Sequence, residues 1–203
     1  MILPIISSSF DSNVFLIIDE KIALVDTGAG TSNLVDEIRK RVSKIDLIIN
    51  THAHLDHCGG NKFFKCKILV HESDAAEMRS GEFYGTCSMA GKKIPLRVSE
   101  MLKGGDKIDM GEHVFEVVHT PGHTLGSICL YERDKKILIS GDTLFSDGSF
   151  GRADLGGNFE ELVSSLERLS KLDFNLLLPG HGNIARDEEC KNAIATAIAI
   201  AGV

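Results

Sequence analysis

The chain has 203 residues, of which 43% are hydrophobic and 25% are charged, a composition that is typical of a folded globular protein and argues against long disordered stretches. The formal net charge of −7 argues against nucleic acid as the main partner, because a phosphate backbone needs a basic patch. The five cysteines are odd in number and form no Cys-x-x-Cys pair, which argues against a disulfide framework and a thiolate zinc ribbon.

The first half of the chain alternates strand and helix patterns. Short apolar runs predict five strands, over 3–6, 14–18, 22–25, 45–50 and 67–70. Helix-period patterns predict two helices, over 32–42 and 72–78. The segment 80–95 contains glycine and has no periodicity, so we expect a loop there, of a length that is often functional.

The second half repeats this order. Apolar runs predict strands over 107–109, 113–118, 127–131, 136–140 and 176–178. Amphipathic patterns predict helices over 159–172 and 187–201. Two similar halves, each a sheet with helices on its outer side, are expected to pack as a single domain over residues 1–203.

Four residues with metal-binding side chains lie within six positions directly after a predicted buried strand: His52, His54, Asp56 and His57. Side chains alternate along extended chain, so the first two histidines project the same way. The chain then turns before two glycines, which allows the aspartate and the third histidine to face the same space. Imidazole and carboxylate together suit zinc, and also iron or manganese.

Three later residues follow predicted strands and adjoin glycine: His123, Asp142 and His181. Strand ends in one sheet share an edge, so these residues are expected to meet the histidine cluster there. The combined set offers seven potential ligands, which suits two metal ions that share one carboxylate.

These motifs resemble the metallo-β-lactamase superfamily. The resemblance rests on four motifs in the family's order: His52-Ala53-His54-Leu55-Asp56-His57, Thr120-Pro121-Gly122-His123, Gly141-Asp142-Thr143 and Gly180-His181-Gly182. It implies an α/β fold, a four-layer αββα sandwich with the metals at the edges of the sheets. It implies one metal held by His52, His54 and His123, a second held by Asp56, His57 and His181, and Asp142 as the bridge.

Within the superfamily the chain looks most like glyoxalase II-like hydrolases, through Gly141–Phe145 and Gly151–Asp154. Two features depart from that pattern. The chain ends soon after His181, so we expect a short form without the C-terminal helical domain that grips glutathione. The segment Gly148–Arg152 also differs from the cysteine-bearing version that is common there.

The resemblance predicts a metal-dependent hydrolase in which a metal-bound hydroxide attacks a thioester, of the hydroxyacyl-thiol kind, or a related ester. The cofactor is expected to be two divalent ions, zinc first and iron or manganese otherwise. Asp56 is predicted to be catalytic, orienting the attacking water.

Two other functions stay open. Persulfide dioxygenases share this fold and a Gly-Arg-x-Asp stretch like Gly151–Asp154, and they hold a single iron at positions matching His52, His123 and Asp142. A non-catalytic metal-binding protein is the third possibility, although structural zinc sites are closed tetrahedra.

Several further residues have two interpretations. Asp26 follows a strand and either orients a metal-binding histidine or simply forms a turn. Arg152 either binds an anionic substrate group or pairs with Asp154. His113 is expected at the surface. Two other histidines near strand ends are expected to be structural: His71 and His119.

The ends of the chain indicate the compartment. The N-terminus lacks the basic start of a signal peptide, and the apolar stretch Ala193–Ala201 is too short to cross a bilayer. We therefore expect a cytoplasmic protein with a small-molecule substrate and with neither a membrane nor a nucleic-acid partner. The sequence does not predict the oligomeric state.

Overall fold

Two six-stranded sheets face each other in the computed structural model, which describes residues 1–7 and 10–202. The first sheet has the order β1-β2-β3-β4-β5-β6, from β1 (Ile2–Ile5), β2 (Val14–Ile18), β3 (Ile22–Val25), β4 (Leu47–Ile49), β5 (Lys67–His71) and β6 (Glu100–Leu102). Its helices are α1 (Ser32–Arg41), α2 (Leu55–Cys58) and α3 (Ala75–Ser80). The strands from β3 to β6 are parallel, whereas β1, β2 and β3 form an antiparallel meander.

The second sheet has the order β12-β11-β10-β9-β8-β7. Its strands are β7 (Lys107–Asp109), β8 (Val114–His119), β9 (Ile128–Glu132), β10 (Ile137–Gly141), β11 (Leu176–Pro179) and β12 (Ala185–Arg186). Only the pair β10–β11 is parallel among these strands. Its helices are α4 (Phe159–Leu169) and α5 (Glu188–Ala201).

Alternation along the strands separates the layers. In β2, Phe15 and Ile17 pack between the sheets, while Val14 and Leu16 face the helices outside. Helix α1 covers the outer face of the first sheet, and α4 and α5 cover the outer face of the second. The chain is therefore a four-layer αββα sandwich, which confirms the predicted fold class.

The loops at one edge of the sandwich join the two sheets. The backbone N–H of Ile128, at the start of β9, donates to the carbonyl of Thr51 after β4, at 2.9 Å. The N–H of Asn13 donates to the carbonyl of Gly180 after β11, at 2.7 Å. Because β4 and β11 both end at this edge, the residues that follow them are brought together.

Three local expectations were wrong. The segment 80–95 contains a 3₁₀ segment, Phe83–Ala90, whose chain direction changes at Tyr84 (φ 54°). The edge strand β6 was missed because three residues are too few to show alternation. His113 is buried rather than at the surface, because its Nδ1 donates to Glu132 of β9 at 2.7 Å. None of the helices among the described residues is long and apolar enough to cross a membrane.

Candidate metal centre

The loop after β4 creates the first part of the site. The chain bends at Thr51 and His52, is extended at His54 and then turns into the single helical turn α2. The N–H groups of His57 and Cys58 in this turn donate to the carbonyl of His54, each at 3.1 Å. His52 and His54 therefore project to one side, and the turn directs Asp56 and His57 back toward them. This geometry follows the sequence expectation.

The first triad consists of His52, His54 and His123. Their ligand atoms all lie within 4.8 Å of one another, and the three side chains are buried. Nε2 of His52 lies 3.2 Å from Nε2 of His123. Because His123 follows β8 in the second sheet, this triad joins the two sheets.

The second triad consists of Asp56, His57 and His181. Their ligand atoms also lie within 4.8 Å of one another. Nε2 of His181 lies 3.2 Å from Nε2 of His57 and 3.2 Å from Oδ2 of Asp56. His181 follows β11, so this triad also draws on both sheets.

Asp142 lies between the triads. Its Oδ1 is 3.2 Å from Nε2 of His57, and its Oδ2 is 3.6 Å from Nε2 of both His123 and His181. A Cβ at Gly180 would lie 2.1 Å from Oδ1, so glycine there allows the carboxylate to reach both groups. The structure thus brings all seven residues together, while their role as ligands stays a prediction.

Asp26 and Thr51 contact the Nδ1 atoms of His57 and His52, the ring nitrogens that face away from the two triads. Nδ1 of His57 donates to Oδ2 of Asp26 at 2.7 Å, and the hydroxyl of Thr51 donates to the same oxygen at 2.7 Å. Nδ1 of His52 lies 3.1 Å from the oxygen of that hydroxyl, which can accept a hydrogen bond from the ring. Asp26 has φ 60°, an uncommon conformation that these bonds support. The structure thus favours the orienting role for Asp26 over a simple turn.

Backbone carbonyls hold the other two rings of the first triad. Nε2 of His54 donates to the carbonyl of Leu155 at 2.8 Å, and Nδ1 of His123 donates to the carbonyl of Arg152 at 2.6 Å. These contacts fix the tautomers and leave Nδ1 of His54 and Nε2 of His123 as acceptors. Sequence reasoning missed both positions, because every residue carries a carbonyl and the pattern gives no signal for which one is used.

Burial and neighbouring charges set the protonation states. Burial and nearby imidazoles lower the pKa of His52 well below its ordinary value, and burial with the nearby His123 lowers that of His54 to about 4. Burial also opposes charge on His57, but Asp142 and two other carboxylates outweigh it and hold the pKa of His57 well above its ordinary value. The first triad is therefore neutral at neutral pH, as metal ligation requires.

The residues present fit metal ions. In each triad two imidazole nitrogens face each other across 3.2 Å, and the opposite nitrogen of His123 and of His57 already carries the donated proton. Oδ1 of Asp142 is buried and, within the described part of the chain, accepts no hydrogen bond. A buried carboxylate oxygen that accepts no hydrogen bond is costly, and a divalent cation can relieve that cost.

The sequence profile of the metallo-β-lactamase superfamily matches residues 9–181. This range includes both triads and Asp142. The chain belongs to the metallo-β-lactamase superfamily. Members of this superfamily typically bind two metal ions, in agreement with the two triads.

Named relatives in the superfamily agree with this assignment. A probable metallo-hydrolase of Methanocaldococcus jannaschii is 35% identical over 205 residues, which cover 91% of this chain and 94% of the relative. The acyl-coenzyme A thioesterase MBLAC2 of Gallus gallus is 32% identical over 210 residues, which cover 89% of this chain and 75% of the relative.

A solved structure shows the same fold with metal bound. The crystal structure of TTHA1623 in a di-iron-bound form superposes with a TM-score of 0.75 at 28% identity, covering 91% of this chain and 94% of that one. A member of this fold can therefore hold two iron ions.

Other polar residues outside the two triads make structural contacts. Arg152 forms a two-pronged ion pair with Asp154, both exposed, as one of the two sequence interpretations expected. The buried thiol of Cys58 donates to the carbonyl of His54 at 2.9 Å. His71 and His119 stack with ring centroids 3.9 Å apart, outside the triads.

Proposed function

We propose that this chain is a metal-dependent hydrolase that cleaves a thioester. The observation that carries the proposal is the pair of triads that converge on Asp142 at one edge of the sandwich. The thioester is supported by the acyl-coenzyme A thioesterase that is 32% identical over 89% of this chain. The glyoxalase II-like motifs make a hydroxyacyl-glutathione the second thioester to test.

Each triad would hold one ion. His52, His54 and His123 would hold the first, Asp56, His57 and His181 would hold the second, and Asp142 faces both. When bound, divalent ions supply Lewis acidity that lowers the pKa of water, to about 7 with zinc, and polarises a carbonyl oxygen. Zinc is the proposed metal, and the same donors also accept iron or manganese.

Asp56 is the proposed catalytic residue. Burial disfavours its charge, but His57 and His181 outweigh that effect and lower the pKa of its carboxyl, so it is ionised at neutral pH. A carboxylate here can accept a hydrogen bond from the attacking water and orient it toward the substrate. The water oxygen bonds to the thioester carbon, the carbon–sulfur bond breaks, and the thiol leaves with a proton.

A covalent route through a cysteine is disfavoured. Cys58 adjoins His57, but burial and nearby carboxylates raise the pKa of its thiol well above the ordinary value. Its proton is donated to a backbone carbonyl, and its side chain has no exposed surface. A nucleophilic thiol needs the thiolate form and access to the substrate, and Cys58 has neither.

The test measures thioester hydrolysis by the purified protein on an acyl-coenzyme A and on a hydroxyacyl-glutathione. We expect a chelator to abolish the activity and added zinc to restore it. Asp56→Asn should lower kcat by about 10²- to 10⁴-fold, the usual contribution of general acid–base groups. Asp134→Asn, in the turn between β9 and β10, serves as the matched control. Full activity in the chelated, metal-free protein would contradict the proposal.

The dioxygenase alternative is tested with the same preparation. That reaction uses one iron at the positions of His52, His123 and Asp142, and it gives no role to the compact triad of Asp56, His57 and His181. Two metal ions per chain without oxygen uptake on glutathione persulfide would support hydrolysis. One iron per chain with oxygen uptake would support the alternative.

A further inference from the structure

A second buried carboxylate lies close to the site without joining either triad. Asp74 has no exposed surface, and its two oxygens accept four hydrogen bonds. Oδ2 accepts from the N–H of Ala53 at 2.7 Å and from the hydroxyl of Thr124 at 2.8 Å. Oδ1 accepts from the N–H of Gly126 at 2.7 Å and from the hydroxyl of Tyr84 at 2.6 Å.

The donors connect Asp74 to both loops that carry the first triad. Ala53 lies between His52 and His54 in the loop after β4, and Thr124 directly follows His123 in the loop after β8. The first loop belongs to one sheet and the second to the other. We propose that Asp74 is a positioning residue that aligns these two loops and so assembles the first triad, an inference that rests on the proposed metal sites.

An ionised carboxylate can accept all four of these hydrogen bonds at once. Four donors converge on two oxygens, and a protonated acid or an amide would bring a hydrogen toward at least one of them. Two of the donors are backbone N–H groups, which cannot rotate toward another acceptor. Burial raises the pKa of Asp74, and the four donors only partly offset that effect. Removing the carboxylate would leave buried donors without a partner.

The surrounding chain is shaped to admit this carboxylate. A Cβ built on Gly126 would lie 2.5 Å from Cγ and 2.5 Å from Oδ1 of Asp74, so the loop approaches closely only because glycine is there. The ring of Tyr84 also lies edge-on to His54, with centroids 6.0 Å apart. Asp74 therefore fixes the positions of backbone around the ligands without touching a ligand ring.

The experiment isolates the first triad in a His181→Ala background, which removes a ligand of the second. Zinc affinity is measured by competition with a chromogenic chelator, and circular dichroism checks the fold of the metal-free protein. Asp74→Asn should weaken zinc binding by about tenfold or more, the lower range for residues that support metal ligands.

The matched control is Glu132→Gln. Glu132 is also a buried carboxylate in a hydrogen-bonded pair, with His113, but it lies at the end of β9 remote from the site. Its substitution should lower the melting temperature and leave zinc affinity unchanged. A merely structural role for Asp74 would give the same pattern as Glu132, and that result would overturn the inference.

A second pair of variants covers the case in which Asp74→Asn does not fold. Thr124→Val keeps the shape of the side chain and removes its hydroxyl donor, whereas Thr124→Ser keeps the donor. We expect valine to weaken zinc binding and serine to restore it. Unchanged affinity in the valine variant would also overturn the inference. Absence of zinc binding in the His181→Ala parent would overturn the proposed metal sites and the inference together.

Discussion

The two triads of the candidate metal centre are built from similar residues but are held in different ways. His57 lies between two carboxylates, with Asp26 on its Nδ1 at 2.7 Å and Asp142 on its Nε2 side at 3.2 Å. The rings of His54 and His123 are held instead by backbone carbonyls. The orientation of His57 in the second triad therefore depends on charged side chains. The orientation of His54 and His123 in the first triad depends on the position of the backbone.

This difference appears in the electrostatics of the two halves. Burial lowers the pKa of His123, and the carboxylate of Asp142 only partly offsets this effect. The same Asp142, together with Asp26, makes the pKa of His57 rise despite complete burial. The comparison teaches that one fold can lower the pKa of one histidine and raise that of another a few ångströms away, through the groups that neighbour each ring.

The largest expected effect comes from the residue that the halves share. Asp142→Asn removes the charge that faces both triads and places an amide hydrogen among nitrogen acceptors. We expect thioester kcat/KM to fall by about 10³-fold or more. This fall corresponds to about 4 kcal/mol of lost transition-state stabilisation, at about 1.36 kcal/mol for each tenfold. The measurements are steady-state kinetics and the number of metal ions per chain.

Asp154→Asn is the control for this prediction. Asp154 is exposed and pairs with Arg152 outside the triads. Its substitution should leave the metal content unchanged. Equal metal content and equal activity in Asp142→Asn and the parent would show that Asp142 does not join the two halves.

A smaller effect is expected from the carboxylate behind His57. In a His123→Ala background, which leaves only the second triad complete, Asp26→Asn should weaken zinc binding by about 10- to 100-fold, because it removes the charged acceptor of Nδ1. Chelator competition measures the affinity. If Asp74→Asn weakened zinc binding in this background as much as Asp26→Asn does, the distinction between the two halves would be lost.

The residue patterns predicted two sheets with outer helices and the seven clustered residues, because both depend on side-chain type, and the family resemblance implied the four-layer arrangement. Apolar alternation predicts strands, and histidines or aspartates next to glycine at strand ends indicate where loops converge. The contacts that orient His54 and His123 could not be predicted, because their acceptors are the carbonyls of Leu155 and Arg152. Choosing among many carbonyls requires the folded chain.

Asp74 illustrates the same limit for a side chain. In sequence it lies in the first turn of the short helix predicted over 72–78, where an acidic residue is ordinarily explained by the helix dipole. Its actual partners, Ala53 and Thr124, are 21 and 50 positions away. His113 was placed at the surface for the same reason, since its partner Glu132 lies 19 positions along the chain.

The last prediction concerns stability instead of metal binding, and it tests a contact between the sheets outside the metal centre. His71 ends β5 of the first sheet and stacks on His119, which ends β8 of the second. Burial and the neighbouring His119 lower the pKa of His71 to about 4, although Glu72 and Asp106 oppose this. In the unfolded chain a histidine has a pKa of about 6.5. Below that pH the unfolded state therefore binds a proton that the folded state does not.

Stability should accordingly be lost as the pH falls from about 6.5 to about 4, and the loss from His71 is complete below the folded-state pKa. One pKa unit corresponds to about 1.4 kcal/mol, so a pKa lowered from about 6.5 to about 4 corresponds to at most about 3.5 kcal/mol. His71→Asn retains an acceptor for the N–H of Ser73 but does not titrate. Urea unfolding of the two proteins across this pH range should give a shallower slope of unfolding free energy against pH for the variant. Parallel slopes would show that His71 takes up no proton on unfolding and would contradict the prediction.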